Sequence, residues 1–249
     1  MSDAKFHLYY WPGLPGRGEF VRLVLEEAGA DWVDVGLLPE SQGGGARAVM
    51  EALGQGAVPA YAPPVLKVGD LEIAQAPNIC SYLGERFGLV PPDEAARLHA
   101  RQFQLTVADV VAEAHDTHHP IAVMKTYEEQ KEPAKARAEV FRTQRIPKYL
   151  GYFERVLKAN TRGGGRYLLG GDFSYPELGL FQLVEGLLYA FPNAMRRIAP
   201  QVPGVMALRE RIAERPRIAA YKNSKRAQPF NPKGIFRHYV ELDEPNAMK

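Results

Sequence analysis

Apolar positions alternate at the start of the chain. Phe6, Leu8 and Tyr10 are interleaved with Lys5, His7 and Tyr9, the two-residue period of a half-buried strand. The period then lengthens: Phe20, Val21, Val24, Leu25 and Ala28 recur at helical spacing until Gly29 stops them. Trp32, Val33 and Val35 follow as a second strand, and the crossover of such a strand-helix-strand unit is right-handed. A glycine run at 43–45 and a short helix near Ala46 to Leu53 lead on to a hairpin. Val65 and Leu66 enter the turn signal Val68-Gly69-Asp70, and Leu71 and Ile73 alternate out of it. Pro77 suits a first helical position, where its missing N–H has no intrahelical partner. Ile79, Tyr82, Leu83 and Phe87 continue that helix, and Gly88 closes it.

Val90-Pro91-Pro92-Asp93 reads as a linker, and everything beyond it is helical in pattern. Glu94 to His119 is expected as one long helix, ended or kinked by Pro120, and residues 133–159 as another, kinked at Pro147. Ser174 and Glu177 have capping-box spacing, with Phe173 and Leu178 placed to staple the same helix start. Pro203 to Glu214 and Pro216 to Asn223 supply the last helices. The tail from Lys225 to Lys249 carries Phe230, Phe236 and Tyr239 and is expected to pack on the body. The pattern therefore divides the chain into a mixed α/β region over 1–88 and an all-helical region over 94–249.

Composition changes this picture little. A chain of 249 residues is long enough for two modest cores, and a formal charge of +2 is too weak a bias to point to nucleic acid or an anionic membrane. The single cysteine, Cys80, excludes an intrachain disulfide and fits a reducing compartment. Its place on the apolar side of a helix makes it a packed thiol rather than a nucleophile. There is no membrane-length apolar stretch and no signal peptide in residues 1–5, so a soluble, cytoplasmic protein is expected. The glycines at 13, 16 and 18 lack the spacing and the Gly-Lys-Ser/Thr ending of a phosphate loop.

Three motifs, in order, resemble the glutathione transferases. Tyr9-Tyr10-Trp11-Pro12, followed by Arg17-Gly18-Glu19 and a helix, is similar to the start of the tyrosine-type cytosolic classes (sigma, mu and pi). The run from Pro63 to Gly84 looks like the second half of that family's glutathione-binding domain, and Gly171 to Glu177 like the capped helix inside its second domain. The resemblance implies a thioredoxin-like domain over 1–88, an all-α domain over 94–249 and a homodimer. It also implies glutathione as co-substrate, attacking a small hydrophobic electrophile in a detoxification reaction.

On that resemblance Tyr10 is the hydroxyl that stabilises the glutathione thiolate, and Tyr9 is the alternative, since strand alternation puts the two on opposite faces. Trp11 follows the activating tyrosine, Arg17 either adds positive potential near the sulfur or faces solvent, and Arg47 either holds the glycyl carboxylate or lies in a solvated loop. Pro64 matches the family's cis proline and Gln75 its γ-glutamyl contact. Three departures weaken the site: Ala76 replaces a Ser or Thr hydroxyl, and Pro63 and Pro77 each lack an N–H. Losing one hydrogen bond to a charged group costs roughly 1.5–3 kcal/mol. Tyr61 resembles, one residue out of register, the aromatic key of related dimers, or is a pocket-facing tyrosine.

Glu113, His115, Asp116, His118 and His119 cluster before Pro120. A metal site can be drawn on His115, His118 and His119, but no second cluster of ligands completes it, and no metal is expected. In the family this helix lines the electrophile pocket, so His115, His119, Tyr127 and Tyr9 are the candidate pocket residues. Two other readings stay open on the same fold. One is a non-catalytic binding or structural protein; the other is a glutathione-dependent isomerase, peroxidase or thiolytic enzyme.

Overall fold

The computed structural model describes residues 5–54 and 58–244. Strands β1 (Phe6–Tyr9), β2 (Trp32–Asp34), β3 (Val65–Val68) and β4 (Leu71–Ala74) form one sheet in the order β2-β1-β3-β4. The β1–β2 pair is parallel and joined through α1 (Gly18–Ala28), and the remaining pairs are antiparallel. Helix α2 (Gly45–Leu53) lies on the connection to β3, and α3 (Ala76–Arg86) follows β4. Leu8 and Leu66 of the sheet are fully buried in one core with Val21, Leu25, Ile79 and Leu83 of α1 and α3.

The rest is helical: α4 (Glu94–Asp116), α5 (Lys131–Val140), α6 (Ile146–Ala159), α7 (Tyr175–Ala190), α8 (Pro192–Ile198), α9 (Pro203–Ala213), α10 (Pro216–Lys222) and α11 (Val240–Asp243). α7 is buried on nearly all sides and packs on α4, α9 and α1, so it joins the helical part to the sheet part. This is the mixed α/β half followed by an all-α half that the pattern leads one to expect, arranged as the thioredoxin-like domain and helical domain that the resemblance implies. Among the described residues no helix is long and apolar enough to cross a membrane.

Several helix limits differ from the expectation, each for a local reason. α4 stops at Asp116 rather than His119, and the Thr117 hydroxyl turns back to donate to the Ala114 carbonyl at 2.7 Å. The helix expected over 133–159 is split by a wide turn at Phe141–Arg145, just ahead of Pro147, whose missing N–H cannot bond the preceding turn. α8 has only 7 residues, too few to show a period, and its start is fixed from a distance. Asp243, buried in the tail, accepts the backbone N–H groups of Asn193 and Ala194 at 2.6 and 3.0 Å.

The tail packs on the body over its described part, 225–244; residues 245–249 of the expectation lie outside the described residues. Phe230 stacks on Tyr189 at 5.0 Å and Tyr239 on Tyr127 at 4.0 Å. Phe236 fills a notch at Gly186, where any side chain would collide with its ring. His118 Nε2 lies 2.8 Å from the Ile235 carbonyl, which can only accept, so this nitrogen carries the proton.

Beneath the loop after β1 sits a buried polar knot. Arg22, fully buried, donates to Asp34 Oδ2 at 2.7 Å, to Glu19 Oε2 at 3.2 Å, and to the Leu14 and Pro15 carbonyls at 3.1 Å. Tyr221 of α10 donates to the same Glu19 oxygen at 3.1 Å. Removing a buried cation strands its carboxylates, which typically costs about 3–5 kcal/mol. Arg22→Met should therefore lower unfolding free energy by about that amount in urea denaturation.

The capping box at α7 gives a pH signature. Glu177 accepts the N–H groups of Ser174 and Leu168 at 2.8 and 2.9 Å, yet burial pushes its carboxyl up to about 7. The folded state therefore binds this proton more tightly than the unfolded chain, whose Glu titrates near about 4.3. Glu177's contribution to stability is full below that value, falls as pH rises towards about 7, and is flat above it. Urea midpoints across pH 4 to 8 should show a shallower decline in Glu177→Gln than in wild type.

Candidate functional site

Tyr10 leaves β1 directly and is buried against glycines. A Cβ on Gly16 would overlap its hydroxyl, one on Gly18 its ring, and one on Gly36 its carbonyl oxygen. Its phenolic oxygen accepts the Arg17 backbone N–H at 2.8 Å. That bond uses a lone pair and leaves the hydroxyl proton available to an acceptor outside the protein. Burial raises the Tyr10 pKa above its usual 10, against the opposing pull of the Arg17 N–H and of the Arg17 and Arg22 charges. Tyr10 is therefore a neutral hydrogen-bond donor at neutral pH.

A cavity of about 130 Å³ lies over Tyr10. Leu14, Gly16, Arg17 and His115 line it from the body, and Lys233, Gly234, Ile235 and Arg237 from the tail. A second cavity, of about 170 Å³, lies at the start of α3 between Arg17, Phe20, Gln75, Ala76 and Pro77 on one side and Gln104 of α4 on the other. Arg17 lines both. The Pro63–Pro64 peptide is cis, Pro64 is buried, and Gln75 adopts φ 70°, ψ 115° immediately ahead of α3.

The remaining candidates are scattered around this centre. Trp11 is half-buried and lines neither cavity. Tyr9 is also half-buried, with the Lys67 ammonium 5.3 Å from its ring centre, and lines neither. Arg47 points outward on α2, 82% exposed, and pairs with Glu51 at 2.8 Å. Pro63 is half-buried at the cis bond. His119 and Tyr127 line a wider groove of about 520 Å³ with Met124, Arg237 and Tyr239, next to the cavity that His115 faces.

The three clustered histidines pack ring on ring with centroids 4.7–5.2 Å apart. Among the described residues no group of three or more His, Cys, Asp or Glu is placed to hold a metal ion. His119 Nδ1 instead sits 3.1 Å from Gln130 Nε2, whose amide also pins the 121–126 loop through backbone groups. Burial pushes His118 down to about 3, so it stays neutral. Cys80 is buried with its thiol on the Phe20 carbonyl, and burial pushes its pKa up, away from nucleophilic use.

Sequence reasoning missed the tail's share in the site. Lys233 and Arg237 stand in an irregular stretch with no period to mark them. The available signal was that Phe230, Phe236 and Tyr239 bracket them, so that a tail anchored by its aromatics fixes whatever lies between.

Comparison with known proteins agrees with the fold. A family model described as "Glutathione S-transferase, C-terminal domain" matches residues 115–225. A glutathione S-transferase of Plasmodium falciparum is 24% identical over 90% of this chain and 97% of its own. Glutathione S-transferase P 1 of Xenopus laevis is 26% identical over 91% and 96%. Among solved structures, a pi-class glutathione S-transferase of Onchocerca volvulus superposes with a TM-score of 0.67 at 21% identity, covering 87% of this chain and 91% of that one.

The Gln75 backbone gives a test independent of ligand. A non-glycine residue at φ 70° stores roughly 1–3 kcal/mol, and glycine relieves it at a smaller cost in unfolded-chain entropy. Because the Gln75 side chain is exposed, Gln75→Gly should stabilise the fold by about 1 kcal/mol, read as a higher urea midpoint.

Proposed function

We propose that this chain, which belongs to the glutathione transferase family, is a transferase in which Tyr10 holds glutathione as its thiolate for attack on a hydrophobic electrophile. One observation carries the reading. The Tyr10 hydroxyl accepts the Arg17 backbone N–H, donates to no acceptor among the described residues, and lines a cavity that shares Arg17 with the one at the start of α3. A tyrosine hydrogen-bonded in this way donates to a sulfur anion and favours it over the thiol.

The residues present suit glutathione in kind, though with fewer donors than a full complement. The start of α3, the Gln75 amide and Arg17 favour a carboxylate beside the 170 Å³ cavity. Pro63 keeps a carbonyl that accepts a peptide N–H, but it has no N–H to return. In this reading residues 1–88 bind glutathione and residues 94–249 supply the electrophile side through His115, with His119 and Tyr127 in the adjoining groove. Glutathione supplies the nucleophile. Tyr10 holds the sulfur's charge, Arg17 fixes Tyr10, and the buried setting strengthens both bonds by excluding water.

We take the working form to be a homodimer, since Tyr61 and Val58, 95% and 83% exposed on the connection before β3, suit a covered surface better than a wet one, and the lone free Cys80 fits a cytoplasmic setting. The absent donors at Pro63, Ala76 and Pro77 favour one rival, a binding protein on the same fold. Ultraviolet titration of the bound thiol separates them. Wild type should form thiolate well below the ordinary thiol pKa of about 8.5, and Tyr10→Phe should lose that shift with a fall in kcat/KM of about 10- to 100-fold. Tyr9→Phe should keep it. No thiolate at saturating glutathione would make the binding protein the better reading.

A further inference from the structure

The cavity over Tyr10 is closed by a segment that is held in place at several points. Asn231 Nδ2 donates to the Gly13 carbonyl at 2.8 Å, tying the tail to the loop after β1. His118 donates to the Ile235 carbonyl, Phe236 sits in the Gly186 notch, and Asp243 caps α8 further on. Arg237 bonds the Gly234 carbonyl at 2.8 Å, which folds the short turn that places Lys233 at the rim. The tail residues in the cavity wall are thus positioned by the fold.

What they bring is charge of one sign. Arg17, Lys233 and Arg237 converge on a space of about 130 Å³, and no carboxylate is among its lining residues. None of the ion pairs among the described residues engages these three cations, whereas Arg215 and Arg226 of the neighbouring surface pair with Glu27 and Glu26. Asp116 touches the His115 ring at 3.3 Å but does not line the cavity. Burial lowers the His115 pKa below its usual value, against the pull of Asp116 on the ring and with Arg17 and Arg237 pushing the same way as burial, so the ring offers a neutral face between the cations at neutral pH. Leu14 and Ile235 supply the apolar part of the wall. With three cations and no carboxylate among its lining residues, the space carries a positive potential that favours an anion. A space of about 130 Å³ is slightly under the about 150 Å³ that holds benzene, so it takes one ring at most, with the ring's substituents reaching out past the exposed Lys233 at the rim.

We propose that the tail makes this cavity selective for single-ring electrophiles that carry a carboxylate, with Lys233 and Arg237 holding the anion while the ring's reactive carbon faces Tyr10. The inference rests on the transferase reading above and names the substrate class of the same site. For a chloronitrobenzoate the step is a displacement. The glutathione sulfur forms a bond to the ring carbon, the carbon–chlorine bond breaks, chloride leaves with its electron pair, and the thiol proton is released to solvent.

The test compares 4-chloro-3-nitrobenzoate with the isosteric neutral 4-chloro-3-nitrobenzamide, each rate divided by its uncatalysed rate with free glutathione. Wild type should favour the carboxylate by about tenfold or more, consistent with a charge-assisted hydrogen bond. The preference should shrink at high salt. Lys233→Gln, at an exposed side chain, should reduce it, Lys233→Gln with Arg237→Gln should bring it close to one, and Arg237→Lys should retain it. If both compounds turn over with no preference, or the amide is favoured, this inference falls and the transferase reading stands. Calorimetric titration of unreactive 3-nitrobenzoate and 3-nitrobenzamide, without glutathione, gives a readout that needs no turnover. If neither chloro compound reacts and no thiolate forms, the transferase reading fails. Equal binding of the two nitro compounds would then overturn the anion site as well, and tighter benzoate binding lost in the double variant would sustain it.

Discussion

The buried Arg22 guanidinium is the constraint on which the rest of the site depends. It gathers Asp34 at the end of β2, Glu19 of its own helix and the carbonyls of Leu14 and Pro15 in the loop between β1 and α1. That loop has neither a strand nor a helix to hold it, and a buried loop must find partners for its backbone polar groups. Arg22 provides them, and Tyr221 extends the knot to α10. Burying such charges is expensive unless they are paired and hydrogen-bonded, so the loop has few alternative conformations that keep every partner.

Tyr10 is placed by the same loop. The Arg17 amide reaches its hydroxyl because Gly16 and Gly18 allow the backbone to pass against the ring, and Gly16, at φ +44°, also needs the freedom of glycine. Side chains at these two positions would push the loop off the tyrosine. The hydrogen bond at the oxygen and the burial of the ring are therefore consequences of one local arrangement, and burial keeps the phenol neutral.

The helical half contributes through contacts made late in the chain. α4 brings His115 to the cavity, but the wall opposite is tail, fastened by Phe236 at Gly186 and by the His118 bond to Ile235. Two of the three cations at the cavity, Lys233 and Arg237, thus stand on the tail, and the third, Arg17, on the loop after β1.

The sequence alone determined the elements whose cause is local. Alternation at Phe6, Leu8 and Tyr10 gave the first strand, the Val68-Gly69-Asp70 turn the hairpin, and Ser174 with Glu177 the capped start of α7, because each depends on residues within a few positions of one another. It also singled out Tyr10, Arg17, Gln75 and Ala76, which the fold does bring to two adjoining cavities. It had no means of separating Arg47, turned outward to Glu51, from those four, since the direction of a helix face in an exposed connection leaves no trace in spacing. Tertiary structure decided what depends on distant pairs. Asp243 caps a helix fifty positions away, His118 meets Ile235, and Lys233 and Arg237 join Tyr10 across more than two hundred residues. Those contacts arise from packing between whole elements, and no periodicity or local propensity encodes them.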